Sequence, residues 1–236
     1  MSRSNQTSTS SNPSQRFFEW GGKKKLLSYW DKDQEKNIEV PIPFTFLLLE
    51  ELSTITGYSQ SEKSGIYSNE VKSTKTEELE VKYFKGGTID KGLYENIKYK
   101  VKSLSGKYTK SLYIAMKIDG VLQIGNIKLS GAGNGAWIDF CSNTGQKERM
   151  SKAICIIGTK EETNGENTYQ VPVFQLKETT PETDAQAIEL DKQLQEYFKE
   201  YFGNGDTNTP TEANAAVDSL KAAFDADEII SDDLPF

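Results

Sequence analysis

A chain of 236 residues, 36% hydrophobic and 27% charged, has room for one domain of ordinary size with tails, or for two small domains. It contains no histidine and only two cysteines, Cys141 and Cys155; this excludes Ser-His and Cys-His catalysis, histidine-held zinc and a disulfide framework, and fits a reducing cytoplasm. The net charge of -7 is unevenly divided, with 24 Lys and Arg against 20 Asp and Glu over residues 16–177, and 3 against 15 over residues 178–236.

Residues 1–15 read as a disordered polar arm, without the apolar run of a secretory signal. From Phe17 to about Lys177 the pattern is mostly that of strands. Lys24 to Trp30 and Ile42 to Thr56 are rich in aromatic, Leu and β-branched residues; the longest apolar run, Phe44 to Leu49, suits a strand and is too short to cross a bilayer. Glu80 to Lys85 alternates. Asp90 to Asn96 fits a short helix between strands. Ile97 to Lys102 has period two, which turns Ile97, Tyr99 and Val101 inward and puts Lys98, Lys100 and Lys102 on one outer face. Ser111 to Ile118 and Val121 to Leu129 form a hairpin through Asp119-Gly120, a pair suited to positive φ angles. Gly131 to Ala136 reads as a loop or bend, and Trp137 to Phe140 as continuing strand. Ala153 to Thr159 pairs with Tyr169 to Leu176 around Asn164-Gly165. The sum is a mainly β domain, a closed or nearly closed barrel.

From Thr183 the period changes. Ala187, Leu190, Leu194, Tyr197, Phe198 and Tyr201 recur every three or four residues as far as Phe202, which predicts an amphipathic helix that either packs on its own barrel or joins a second subunit. Gly203 stops it. Gly203 to Pro210 is a linker, Thr211 to Phe224 a weak Ala-rich helix, and the rest an acidic end. The expected organisation is an arm over 1–15, a β domain with its helix over 16–202, and a flexible acidic tail over 203–236.

Residues 81–117 hold nine lysines against two acids, Asp90 and Glu95, with six aromatic residues interleaved. Cations that follow phosphates and flat rings under unstacked bases are what unselective binding of a single strand requires. The candidate binding residues are Lys82, Tyr83, Phe84, Lys85, Lys98, Lys100, Lys102, Lys107, Tyr108, Lys110, Tyr113 and Lys117, with Trp137 beside the glycine-rich bend. Trp20 and Trp30 are further candidates, and Lys23-Lys24-Lys25 adds a second basic spot. The net negative charge is no obstacle, because a phosphate meets the local field of a groove and not the total.

Two motifs point elsewhere. Gly131-Ala132-Gly133-Asn134-Gly135-Ala136 has the G-x-G-x-x-A form of a dinucleotide site, but that site needs a helix next, where strand is expected. Glu80-Val81-Lys82 has the acid-x-Lys form of magnesium-dependent nucleases, a pattern common in exposed strands. Neither makes a catalytic constellation. No enzyme activity, cofactor or metal is expected.

The chain ends in Asp232-Asp233-Leu234-Pro235-Phe236. These five residues resemble the C-terminal tip of bacterial single-stranded DNA-binding proteins, which dock partners through a terminal phenylalanine beside acidic residues. A phenyl ring fits an apolar pocket, its carboxylate meets a basic rim, and Pro235 limits the entropy lost on ordering. The longer core, extra helix and acidic tail are closer to the diverged single-OB-fold proteins of this kind in some bacteriophages. The resemblance implies an OB-fold-like barrel that coats single-stranded DNA in replication, recombination and repair. It also implies a cytoplasmic setting (the bacterial host's, if phage-encoded) and replication and repair proteins recruited through Asp232, Asp233, Leu234, Pro235 and Phe236. An adaptor or virion protein that shares only the tail, and a magnesium-dependent nuclease, are the alternatives.

Overall fold

The computed structural model describes residues 11–21, 26–165 and 167–203. The chain is mainly β. Its strands are β1 (Arg16–Gly21), β2 (Leu26–Asp31), β3 (Lys36–Val40), β4 (Phe44–Ser59), β5 (Ser64–Ser68), β6 (Leu79–Tyr83), β7 (Thr88–Gly92), β8 (Gly106–Ile118), β9 (Val121–Ser130), β10 (Ala153–Asn164) and β11 (Asn167–Lys177). The helices are α1 (Tyr94–Ser103), α2 (Gly131–Asn143), α3 (Gln146–Ser151) and α4 (Pro181–Gly203). The strands join in one sheet of order β3-β2-β1-β9-β8-β4-β5-β6-β7, with β10 on β4 and β11 on β10. Neighbours are antiparallel except β1 and β9, which run parallel.

The organising strand is β4, sixteen residues long. Residues Phe44 to Phe46 pair with β10, Leu47 to Gly57 with β8, and Thr56 to Ser59 with β5, after a bulge between Leu48 and Glu50. Its apolar run is buried on both faces, which is why the run does not alternate. One face, with Phe46 and Leu48, meets Leu112, Ile114, Ile127, Ile154 and Trp137 of α2. The other, with Leu47, Leu49 and Leu52, joins Tyr113, Ala115 and Ile124 beneath Ala187, Leu194 and Phe198 of α4. A third core gathers Ile55, Ile66, Leu79, Val81 and Ile89 under Ile97 and Val101 of α1. The outer half of β4, with β5 to β7, α1 and the start of β8, thus makes a lobe with an interior of its own.

The two hairpins form as expected. Asp119 and Gly120 turn at φ 51° and 84°, and Gly165 at φ 60°. The C-terminal amphipathic helix also forms, and it packs on its own sheet. Residues 12–15, assigned to the arm, lie against that sheet: the Gln15 N–H donates to the Ile124 carbonyl at 2.8 Å, and Ser14 is buried.

Other expectations are overturned. Ile97 to Lys102 lies inside α1, not in a strand, and Asp90 to Asn96 is divided between the end of β7 and the first turn of α1. Ile97 and Val101 satisfy both periods, and packing over Ile55 and Ile66 decides for the helix. Tyr99 consequently points away from the core and is 76% exposed. Residues 131–140 are helix rather than bend and strand. Trp137, Phe140 and Cys141 fall at helical spacing and pack on the first core. The glycines of the dinucleotide-like motif lie within α2, and a Cβ at Gly133 would come 3.2 Å from Trp20 Cδ1, so this glycine serves close packing. The helix does not return to a parallel strand beside β9, since β10 pairs antiparallel with β4 and β11. No described helix is long and apolar enough to cross a membrane.

Candidate functional site

The lobe sheet has one face under α1 and one face half-open. Side chains alternate along a strand, so Ile66 and Val81, which meet α1, leave Tyr67 and Lys82 on the opposite face. The register extends this into a row. Lys107 of β8 stands opposite Thr56 of β4, Thr56 opposite Tyr67 of β5, and Tyr67 opposite Lys82 of β6. Three strand spacings separate the two lysines, about 14 Å in all. Phe84 stacks on Tyr67, with ring centroids 4.8 Å apart at 19°. It also lies over Gly65, where a Cβ would come within 2.1 Å of the ring. Lys85 follows, exposed, with its ammonium 3.4 Å from the Glu62 carbonyl. The result is a flat pair of rings between cations on a half-open β surface.

The sheet face of this row continues under α4, where the outward side chains of β8 and β9 are covered. Tyr113, expected to stack on bases, is only 1% exposed: Phe198 packs edge-on to it at 5.0 Å, and its hydroxyl donates to Glu70 at 2.7 Å. Trp137, another expected stacker, is also 1% exposed, packs against Phe140 and Phe174, and donates its indole N–H to Glu51 at 3.1 Å. Both rings belong to cores and offer no face to a base.

The remaining candidates divide by location. Tyr83 packs into the lobe core and is half-buried. Tyr108 lies on the α1 side of the sheet, against Tyr94, with its hydroxyl 2.8 Å from Ser53. Lys82 bridges Glu80 at 2.9 Å, so this acid and lysine neutralise one another. Lys98, Lys100 and Lys102 do not share a strand face: the helix turns them apart, Lys98 toward Glu95 and Lys100 toward Asp90 at 3.4 Å. Lys117 stands ten residues from Lys107 along β8, about 33 Å away, and lies outside the cluster. Lys23-Lys24-Lys25 and residues 232–236 lie outside the described residues. Sequence reasoning missed Tyr67 and Thr56, which have no local signal and enter the row only through register.

Lys110 has a structural partner, Glu51, at 2.6 Å. Burial draws its ammonium down, but the charge and hydrogen bond of Glu51, with help from Tyr108, more than offset this and leave its pKa above the ordinary lysine value. Glu51 therefore binds Lys110 and Trp137 together under α2. The nearby Cys141 thiol is pushed up to about 11, first by burial and then by Glu51, against the lowering influence of Arg149 and Lys110. Among the described residues no group of three or more Cys, Asp or Glu stands close enough to hold a metal ion.

Compared with protein-family models, with curated proteins and with solved structures, the chain matches none of them.

Proposed function

We propose that this chain binds single-stranded DNA without regard to sequence, across the row Lys107, Thr56, Tyr67 and Lys82 with Phe84 and Lys85 beside it. That row is the observation on which the reading rests. Rings that stack any base, set between cations that meet its phosphates, are selective for an unpaired strand and indifferent to its letters.

The strand order supports the reading. Taken as β4, β8, β9, then α2, then β10 and β11, with β10 returning to β4, the pairing has the order of a partly open five-stranded OB barrel. Such barrels take oligonucleotides on the face of their second and third strands and on the loop between the first and second. Here that loop corresponds to the lobe, and α4 covers the outer face of β8 and β9 at Tyr113, Ala115, Leu122 and Ile124, which leaves the lobe end for a ligand. The tip Asp232-Asp233-Leu234-Pro235-Phe236 complements it as a docking peptide for replication and repair proteins. So small a ligand binds with roughly micromolar affinity.

Titration with poly(dT) at several salt concentrations is the test. Tyrosine emission is expected to quench, and Lys107 and Lys85, with Lys82 neutralised by Glu80, give a slope of log K against log[salt] of about -1.4. Phe84→Ala is expected to weaken binding roughly 5- to 150-fold without changing that slope. An adaptor that shares only the tail predicts no retention on single-stranded DNA even at low salt, and that result would reject the proposal.

A further inference from the structure

On the reverse side of the lobe, α1 buries Ile97 and Val101 and turns its other face to solvent. Tyr99 sits about 200° around the helix from Ile97, 76% exposed, with the Lys98 ammonium 5.1 Å from its ring centroid. Lys102 lies one turn on; it is exposed and makes no ion pair among the described residues. The helix dipole accounts for Lys100 and Lys102 in the last turn. It does not account for Tyr99. The ring buries little on folding, and a cation–π contact at so exposed a site is worth only about 0.5–1 kcal/mol.

Lys98 is held by Glu95, so a solvent-facing ring with one lysine unpaired among the described residues, Lys102, repeats on a helix the chemistry of the row on the opposite face. Among the described residues the outermost strand β7 pairs with β6 alone, so a single edge separates the two surfaces. We propose that α1 is a second contact for the same single strand, with Tyr99 stacking a base and Lys102 meeting a flanking phosphate, so that the strand rounds the β7 edge. This assignment rests on the single-strand reading above.

Fluorescence anisotropy with labelled dT oligomers tests it, since OB-type sites cover about 4–16 nucleotides. A long oligomer of about 16 nucleotides reaches both surfaces, and a short one of about 5 reaches the row alone. Tyr99→Ala is expected to weaken the long oligomer roughly 5- to 150-fold, to leave the short one unchanged, and to leave the thermal midpoint unchanged. Tyr99→Trp is expected to retain affinity, with its added indole emission quenched by the long oligomer. Lys102→Ala is expected to reduce the salt slope for the long oligomer by about 0.7. Wild-type affinity of Tyr99→Ala for the long oligomer overturns the second contact and leaves the row standing. Equal loss on both lengths also overturns it, because Tyr99 would then belong to the row's own path. A wild-type chain that binds neither oligomer removes the single-strand reading and this assignment with it.

Discussion

At Gly65 the absence of a Cβ lets the Phe84 ring lie flat against the strand and stack on Tyr67. The backbone there is ordinary extended strand, so alanine is tolerated by the main chain; what it displaces is the ring. Gly65→Ala is therefore expected to keep the fold, moving the thermal midpoint little, while it lifts Phe84 off Tyr67. Affinity for poly(dT) should fall about as far as in Phe84→Ala, roughly 5- to 150-fold, and the two substitutions together should cost little more than either alone, because both break the same stack. Full additivity in that cycle, or unchanged binding in Gly65→Ala, would detach the ring pair from function.

Among the elements, α4 was the most legible in sequence. Its apolar residues fall at helical spacing only, and Ala187, Leu194 and Phe198 are the ones it buries. The Asp119-Gly120 hairpin was equally plain, because the turn demands positive φ. The lobe helix was not, since Ile97, Tyr99 and Val101 fit a strand as well as Ile97 and Val101 fit a helix, and only tertiary packing separates the two. In α2 the glycines disguised a helix that exists because it covers the sheet's first core. The site divides in the same way. Lysine enrichment over residues 81–117 is a property of composition, but the partnership of Lys107, Thr56, Tyr67 and Lys82 depends on the register of four separate strands. The hold of α4 on its sheet is open to test. Phe198 is buried and packs edge-on to Tyr113, so Phe198→Ala is expected to cost about 3–5 kcal/mol and to lower the thermal midpoint by about 10 °C. Ile188 on the same helix is 51% exposed, and Ile188→Ala should change neither. Matching melting curves for the two variants would mean that α4 is not held through this contact.

For the whole molecule, the proposed reading sets the opposed charges of body and tail in competition. Residues 204–236 carry eight Asp and Glu against one Lys, and they follow directly on α4, whose Tyr201 hydroxyl accepts the Glu70 N–H at the near end of the lobe. On the proposed reading, an anionic segment tethered there would contest the same lysines as a phosphate chain, at a high effective concentration set by the tether. Truncation after residue 203 is therefore expected to raise affinity for poly(dT), by more at low salt than at high, since screening weakens the competitor and the ligand alike. Truncation after Ser231 removes only the tip; it should leave DNA affinity equal or higher while abolishing capture of replication and repair proteins. On that reading the two deletions separate the tail's roles, competition spread over all its acids and docking confined to Asp232 to Phe236. If the shorter deletion destroys DNA binding, the tip is part of the DNA surface itself and cannot serve as an independent docking peptide.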